Sequence, residues 1–415
     1  MNPFSLALLV LLALLAFYGS PATSTSRHAF DNYHRPVQNG FRVKLIHVDS
    51  GVSLTKFERT QRAIESGKNR MKRLSAPLMA DPSADYKFMG HLEPGGNELV
   101  LPVYIGNPPV WMQLILDTGS DLIWAQSLPC KHCDLAYDDP LFFDPSNSST
   151  FSNVSCSSEL CKSLPYSKCT KGCEYQYDYG DNSTTRGYMG TDTFQFGDDG
   201  HLVPIPHIGF GCGLDNQALF LEEADGILGL GRGPLSLISQ LGAKTFSYCM
   251  ADGYTSFSSF FMVGSLPNIS RPTISIPMMR NPYVEDVPYY YVSIEGITVG
   301  DTLIPLPNST FEIRKDGTGG MFVDSGTTIT FLEKEVFELI EVPRLIFHFK
   351  GGADLELDPE SYFVEDFPVG AFCLAMMPYE VFSVLGNIQL YNMYVVYDLE
   401  KEMLIVSSSG GCGDG

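Results

Sequence analysis

Two stretches of the sequence share one design: Leu114-Ile-Leu-Asp117-Thr118-Gly119-Ser120 and Met321-Phe-Val-Asp324-Ser325-Gly326-Thr327. In each stretch, three apolar residues precede an Asp, which is followed by a hydroxyl residue, a Gly and a second hydroxyl residue. An apolar strand can deliver the carboxylate to a buried site, and the Gly lets the backbone turn tightly beside it. The repeat therefore predicts two similar strand-and-turn units that bring two carboxylates into one site.

Paired carboxylates have a specific chemistry. They cannot both ionise easily, so they share a proton and titrate as a pair. The charged member can take a proton from water while the protonated member supports a carbonyl oxygen. Neighbouring hydroxyl groups can donate hydrogen bonds to the ionised oxygens. Such a site needs no metal and no other cofactor, and we expect none. A single Asp-Thr-Gly is common as an ordinary turn, so the prediction depends on the pair.

Four further segments accompany the pair. They are Asp121-Leu-Ile-Trp124, Tyr175-Gln-Tyr-Asp-Tyr179-Gly-Asp-Asn-Ser183, Ala224-Asp-Gly-Ile-Leu-Gly-Leu-Gly and Ser383-Val-Leu-Gly-Asn. With the two Asp motifs, they make the chain resemble the pepsin-like aspartic protease family. The Cys-rich stretch at residues 130–173 and the segment Phe41-Arg-Val-Lys-Leu-Ile-His-Val-Asp resemble its nepenthesin-type plant branch. The resemblance covers residues 41–415.

This resemblance implies a mainly β (all-β class) fold of two lobes with a catalytic cleft between them. It implies an aspartic endopeptidase that acts on polypeptides at acidic pH, as a monomer, with Asp117 and Asp324 as catalytic residues. The residues expected to support them are Thr118, Gly119, Ser120, Ser325, Gly326 and Thr327. Tyr179 would close over the substrate from a flap hairpin and hydrogen-bond to Trp124, although a Tyr on a strand face is usually a packing residue.

The amino terminus predicts secretion. Residues 6–17 are an unbroken apolar run, too short to span a bilayer comfortably, and small residues follow it. We expect a signal peptide at residues 1–24, no membrane anchor, and a location outside the cell or in the vacuole. Five Asn-x-Ser/Thr sequons fit a secreted glycoprotein. They begin at Asn147, Asn153, Asn182, Asn268 and Asn308.

Charge divides the chain into two parts. Residues 1–96 carry 12 basic and 7 acidic residues, whereas the remainder carries 15 basic and 41 acidic residues. We interpret residues 25–96 as a basic prosegment whose amphipathic helix docks on the acidic enzyme as an intramolecular inhibitor, with cleavage between about Pro77 and Asn97. A solvated basic linker is the alternative. The remainder of the chain is so acidic that it would repel the phosphates of a nucleic acid, which excludes nucleic-acid binding. An N-terminal lobe at residues 97–285 and a C-terminal lobe at residues 286–415 follow.

The ten Cys residues predict disulfides in an oxidising compartment. The candidates are Cys130, Cys133, Cys156, Cys161, Cys169, Cys173, Cys249 and Cys412. Cys130-Lys-His-Cys133 could also be half of a zinc site or a redox pair, but a disulfide is favoured in a secreted chain. Gly229-Leu-Gly-Arg-Gly233 lacks the register of a phosphate-binding loop, and the motifs of serine hydrolases and zinc proteases are absent from the sequence.

Two departures from the family are visible. Ser127 stands where the plant branch usually has Cys, and Ile340 runs straight into Glu341 where family members have several tens of further residues. The second departure predicts a shortened C-terminal lobe. Cys373, and one of Cys130, Cys133 and Cys212, would then lack disulfide partners. A non-catalytic binding or inhibitor protein on the same scaffold is therefore the alternative function.

Overall fold

The computed structural model describes residues 40–48, 54–79, 99–133, 142–178, 183–198, 201–217, 224–251, 258–264, 269–285, 287–307, 309–340, 344–366, 371–408 and 412. The predicted signal peptide and most of the predicted cleavage region lie outside these ranges. The helices are α1 (Lys56–Met79), α2 (Glu159–Lys162), α3 (Leu237–Leu241), α4 (Lys334–Phe337) and α5 (Pro359–Tyr362), and short 3-10 helices span Pro145–Asn147 and Asn387–Leu390.

Strands make up most of the remaining regular structure. In the first part of the chain they are β1 (Phe41–Lys44), β2 (Ile46–His47), β3 (Leu99–Ile105), β4 (Val110–Asp117), β5 (Trp124–Gln126), β6 (Ser152–Asn153), β7 (Tyr166–Cys169), β8 (Cys173–Asp178), β9 (Thr184–Asp198), β10 (His201–Gln217), β11 (Gly226–Gly229), β12 (Thr245–Cys249), β13 (Phe260–Val263) and β14 (Thr273–Met279). They continue with β15 (Tyr290–Val292), β16 (Ile294–Val299), β17 (Thr302–Leu303), β18 (Met321–Val323), β19 (Thr330–Glu333), β20 (Leu345–Phe349), β21 (Ala353–Leu357), β22 (Phe363–Asp366), β23 (Ala371–Leu374), β24 (Met376–Tyr379), β25 (Ser383–Leu385), β26 (Tyr394–Asp398) and β27 (Met403–Ser407).

Two large sheets carry the two Asp motifs. Within the described ranges, one sheet has 11 strands in the order β1-β13-β12-β26-β27-β14-β15-β18-β25-β19-β24. The other has 10 strands, with β2-β3-β4-β11-β5-β10-β9-β8-β7 in line and β6 paired to β9. A four-stranded sheet (β17-β16-β20-β21) and the β22-β23 pair complete the strands. The mainly β, two-lobed fold expected from the sequence is confirmed.

The sequence repeat is also a repeat in structure. Strand β4 runs parallel to β11, with Asp117 opposite Gly229, and β18 runs parallel to β25, with Val323 opposite Leu385. Strand β11 also pairs antiparallel with β5, and β25 pairs antiparallel with β19. The three residues before each Asp are buried, so these strands are apolar without alternation. Each Asp therefore emerges from the middle of a sheet.

The local sequence explains where helix α1 begins and which of its faces is buried. The hydroxyl of Thr55 accepts a hydrogen bond from the Glu58 amide at 3.2 Å, and the Glu58 carboxylate accepts one from the Thr55 amide at 2.8 Å. This reciprocal capping box fixes where the helix begins. Its buried positions Ala63, Gly67, Met71, Leu74 and Leu78 recur every three or four residues, and Arg70, Arg73 and Ser75 are buried beside them. The helix therefore presents one stripe to the rest of the protein, as the basic amphipathic segment predicted.

None of the helices in the described ranges has the length and apolar character needed to span a membrane.

Candidate active site

Asp117 ends strand β4 and is fully buried. The backbone amide of Gly119 donates to its Oδ1 at 2.8 Å, and the hydroxyl of Ser120 donates to its Oδ2 at 2.6 Å. A Cβ on Gly119 would lie 2.7 Å from Arg70 Nη2 and 2.9 Å from Asp324 Oδ1, so a side chain there would displace these groups. The turn after the strand thus holds both carboxylate oxygens.

Asp324 follows strand β18 and is also fully buried. The amide of Gly326 donates to its Oδ1 at 3.1 Å, and the hydroxyl of Thr327 donates to its Oδ2 at 2.5 Å. The donors stand two and three residues after the Asp, as in the first motif. The two turns therefore hold their carboxylates in the same way.

The residues that directly follow the two Asp residues, Thr118 and Ser325, join the two turns. The amide of Thr118 donates to Ser325 Oγ at 3.0 Å, and the amide of Ser325 donates to Thr118 Oγ1 at 2.9 Å. The Ser325 hydroxyl in turn donates to the Leu116 carbonyl at 2.8 Å. All six residues predicted to support the Asp pair therefore lie around it.

A guanidinium lies between the two carboxylates. Arg70 of α1 is 1% exposed. It donates to Asp324 from Nε and Nη2, each at 2.6 Å, and to Asp117 from Nη2 and, at 3.4 Å, from Nη1. Its Nε also lies 3.0 Å from Thr327 Oγ1. The two carboxylates thus converge on one cation.

Burial and charge act in opposite directions on these groups. Burial alone would raise the pKa of Asp117, but the charge and hydrogen bonds of Arg70 outweigh it and hold that pKa below its ordinary value. Burial works to lower the pKa of Arg70, and the charges of Asp117 and Asp324 overcome this and raise the pKa well above its usual range. Asp117 and Arg70 therefore hold each other in their ionised forms.

Helix α1 is anchored just after Arg70 by two phenols. The Tyr289 hydroxyl donates to the Leu74 carbonyl at 2.5 Å, and the Tyr379 hydroxyl donates to the Met71 carbonyl at 3.0 Å. The apolar stripe of α1 packs into a cluster with side chains from the 11-strand sheet and its loops. Its fully buried members include Tyr291, Phe322, Ile329, Phe331, Phe382 and Val384. The helix thus covers the Asp pair and the adjoining apolar surface.

The predicted flap residues are only partly described. Trp124 begins strand β5, is fully buried and packs in a cluster with Tyr175 of β8. Strands β8 and β9 pair antiparallel up to Asp178 and Thr184, which is the hairpin expected for a flap. Tyr179 lies outside the described residues.

The structure pairs all eight candidate cysteines. The disulfides are Cys130–Cys133, Cys156–Cys169, Cys161–Cys173 and Cys249–Cys412. Cys212 and Cys373 carry free thiols. Cys212 is the one among the three alternatives that lacks a disulfide; it is buried, which raises the pKa of its thiol despite a hydrogen bond with Ser127.

The remaining predicted sites are peripheral. Asn147 and Asn153 are exposed, on a 3-10 helix and on β6, while Asn182, Asn268 and Asn308 lie outside the described residues. Within the described ranges, no three His, Cys, Asp or Glu side chains are placed to hold a metal ion.

Arg70 is the site residue that the sequence analysis missed. Several basic residues lie on α1, and their charge alone does not show which one enters the site. A signal was present, however, because Arg70 falls between Gly67 and Leu74 on the apolar stripe. A basic residue at a stripe position must find a buried counter-charge.

Comparisons with known proteins agree with this architecture. The sequence model described as "Xylanase inhibitor N-terminal" matches residues 100–265, and "Xylanase inhibitor C-terminal" matches residues 289–341 and 338–408. The two C-terminal pieces meet around Ile340 and Glu341. Among solved structures, "Crystal structure of edgp" has a TM-score of 0.62 at 20% identity, covering 77% of this chain and 94% of that one. Basic 7S globulin from soybean has a TM-score of 0.59 at 20% identity, covering 77% and 95%.

Curated relatives share more sequence. Aspartic proteinase nepenthesin-1 of Nepenthes gracilis is 37% identical over 442 aligned residues, covering 98% of each chain. Nepenthesin-2 of the same plant is 37% identical, covering 94% of each chain. Aspartyl protease family protein 2 of Arabidopsis thaliana is 33% identical, covering 77% of this chain and 72% of the relative. The chain is therefore an aspartic endopeptidase of the nepenthesin-type branch of the plant pepsin-like family.

Proposed function

We propose that the chain is made as a zymogen in which Asp117 and Asp324 are the catalytic pair and Arg70 blocks them. The observation that carries this proposal is the convergence of both buried carboxylates on one guanidinium. A cation in that place neutralises two carboxylates that could not otherwise both remain ionised. It also occupies the space in which a water molecule and a peptide bond would have to lie.

Once Arg70 leaves, the two carboxylates face each other without a cation and share one proton. The ionised member takes a proton from water, which attacks the peptide carbonyl, and the protonated member donates to the carbonyl oxygen. The Gly119 and Ser120 donors, and their equivalents Gly326 and Thr327, hold the oxygens in place during this exchange. The substrate is a polypeptide, and neither a metal nor a cofactor takes part.

Acid would open the site. The pKa of Asp117 is depressed by Arg70, so the contact is stable above the ordinary Asp pKa of about 3.9 and is lost as the pH falls through the depressed value. Protonation removes the charge that holds the guanidinium. Protonation of Asp117 in its contact with Arg70 therefore triggers activation, and the separate titration of the freed pair then sets the pH range of activity.

The parts of the chain around this site have matching roles. Residues 1–24 would direct secretion, outside the cell or to the vacuole. Residues 25–96 form the prosegment, with cleavage between about Pro77 and Asn97. The hairpin of β8 and β9 is the flap, in which Tyr179 closes over the substrate beside Trp124. The monomer then consists of residues 97–285 and a C-terminal lobe, residues 286–415, shortened at Ile340 and Glu341.

The test is a proteolysis assay in which the protein is made as the full chain and its prosegment is then cleaved off. A recognition site for an external protease, placed between Ala80 and Asn97, allows inactive variants to be processed as well. After acidification, Asp117→Asn and Asp324→Asn should each abolish pepstatin-sensitive cleavage of a denatured protein and retain the wild-type circular dichroism spectrum. Asp301→Asn, at a fully exposed position, is the matched control and should cleave normally. Undiminished cleavage by both active-site variants would defeat the proposal.

A second candidate is a non-catalytic binding or inhibitor protein. It is favoured by the description of the matching family models as xylanase inhibitor domains and by the split match at the shortened C-terminal lobe. This candidate predicts a processed, acidified wild type that is folded, cleaves nothing and does not bind pepstatin. Pepstatin-sensitive cleavage by the wild type would exclude it.

A further inference from the structure

One short loop touches the supports of both carboxylates. The bridging loop (residues 230–233) directly follows β11, the partner strand of β4. Its Leu230 amide donates to the Asp117 carbonyl at 2.8 Å, and its Gly231 amide donates to the Ser120 carbonyl at 2.9 Å. The Gly233 amide donates to Asp121 Oδ1 at 2.8 Å. Three backbone amides of the loop therefore fix it to the turn that carries the first carboxylate.

The same loop is fixed to the part of the chain that carries Asp324. The Tyr290 hydroxyl donates to the Leu230 carbonyl at 2.8 Å, and the Arg232 amide donates to the Pro288 carbonyl at 3.0 Å. Tyr290 lies on β15, where it pairs with Val323, the residue before Asp324. A shift of the loop would therefore move one carboxylate relative to the other.

The side chain of Arg232 completes this connection. Its Nη1 and Nη2 donate to the two carboxylate oxygens of Glu402 at 3.0 and 2.7 Å, and its guanidinium lies 4.8 Å from the centre of the Tyr290 ring. The Arg232 side chain is only 4% exposed and the Glu402 side chain is 41% exposed, so the guanidinium is shielded from solvent while the carboxylate is partly open to it. The two-pronged contact fixes the geometry of the pair. The burial of its guanidinium distinguishes this pair from ion pairs in which both side chains are exposed, which are weak.

The backbone conformation of Glu402 indicates that a carboxylate is needed at this position. Glu402 has a φ of 51°, in the left-handed region, between strands β26 and β27. Gly or Asn adopts that conformation at a lower cost than Glu. The turn therefore carries a conformational cost that places a carboxylate opposite Arg232.

We propose that Arg232 is a positioning residue. Its two-pronged ion pair with Glu402, called the clasp below, holds the bridging loop in place, so that Asp117 and Asp324 keep the separation at which they share a proton. This inference rests on the proposed function, since it assigns a task in catalysis to a residue that contacts neither the substrate nor the side chains of Asp117 and Asp324. A small displacement of one reacting group lowers the rate steeply, while substrate binding over the rest of the cleft is little affected.

The experiment compares two conservative changes with two matched controls. Arg232→Lys keeps the charge and loses the two-pronged geometry, and Glu402→Gln keeps the shape and loses the charge. Arg344→Lys and Glu356→Gln alter a similar two-pronged pair at 2.7 and 3.1 Å on the exposed surface, away from the carboxylates. All are made in the processed full chain, and kcat, KM and the pH profile of kcat are measured.

Both clasp variants should lower kcat on the order of tenfold, with KM changed by less than about twofold. Their bell-shaped pH profile should narrow, because carboxylates that move apart are coupled less and their two apparent pKa values approach each other. The controls should match the wild type. Wild-type kcat and profile in both clasp variants would overturn the proposal, and so would a raised KM at unchanged kcat, which would indicate a role in binding alone.

Hydrogen exchange provides a readout that needs no activity. If the wild type itself cleaves nothing, the proposed function fails, but the amides of Leu230 to Gly233 still report on the clasp. Their exchange should accelerate at least tenfold in Glu402→Gln and stay unchanged in Glu356→Gln. Unchanged protection in Glu402→Gln would overturn the clasp itself.

Discussion

Thr118 and Ser325 exchange backbone-to-side-chain hydrogen bonds, at 3.0 and 2.9 Å, across 207 residues of sequence. Ser325→Ala would leave the buried Thr118 amide without an acceptor, and Thr118→Val would do the same to the Ser325 amide. We expect each change to lower the free energy of unfolding by about 1–3 kcal/mol, because a buried amide loses its partner. Urea unfolding at neutral pH measures both.

The two losses should also be coupled. Once one bond is lost the turns can separate, so the double variant should cost at least ~0.5 kcal/mol less than the sum of the single changes. Ser361→Ala removes the hydroxyl of an exposed hydrogen bond and should change stability by less than about 0.5 kcal/mol. Strict additivity in the double variant would show that the two turns are held together by other contacts.

Arg70→Lys should make activation easier. A Lys ammonium cannot bond two carboxylates in the planar, multidentate way of Arg, so the pKa of Asp117 would be depressed less. Its protonation, and with it the release of α1, should therefore occur at a higher pH than in the wild type. The midpoint can be followed as the fraction of protein that binds a pepstatin probe after stepwise acidification. Lys72→Arg, on the exposed side of α1, should leave the midpoint unchanged; a shift there equal to that of Arg70→Lys would contradict the assignment.

Asp225→Asn should stabilise the protein at neutral pH. Burial raises the pKa of Asp225 to about 6, although its carboxylate accepts a hydrogen bond from the Gln113 amide at 2.7 Å. The folded state thus holds this proton more tightly than the unfolded state, and stability from this group is lost as the pH rises from about 4 to 6. The loss can reach roughly 3 kcal/mol. Unfolding at pH 4 and pH 7 should show a gain for the variant at pH 7 alone. An equal effect at both values would mean that the carboxyl does not titrate in this interval.

The fold and the carboxylate pair were predictable because they are encoded locally and twice. Three apolar residues before Asp117, and again before Asp324, specify buried strands, and the hydroxyl residues after them are the donors that the carboxylates need. The apolar-apolar-Gly segments ending at Gly229 and Gly386 likewise marked the strands that run parallel to them.

What the sequence did not reveal depends on contacts between distant segments. Arg70 and Arg232 each look like one basic residue among many, and only the fold brings them to carboxylates 254 and 170 residues away. Disulfide pairing is similar, since Cys249 and Cys412 lie 163 residues apart. The stripe position of Arg70 was the one local hint, and reading it required knowing where α1 begins.

Strand β1 covers a sheet edge that its removal would expose. It completes one edge of the 11-strand sheet by pairing with β13, and Phe41 stacks on Phe196 with ring centres 4.4 Å apart. Residues 41–44 belong to the segment that we expect to be removed. Its departure would bare the unpaired amides and carbonyls of Phe260–Val263, a ready template for another strand. Removal of this segment would thus change the tendency of the protein to associate with other chains, as well as its catalytic state.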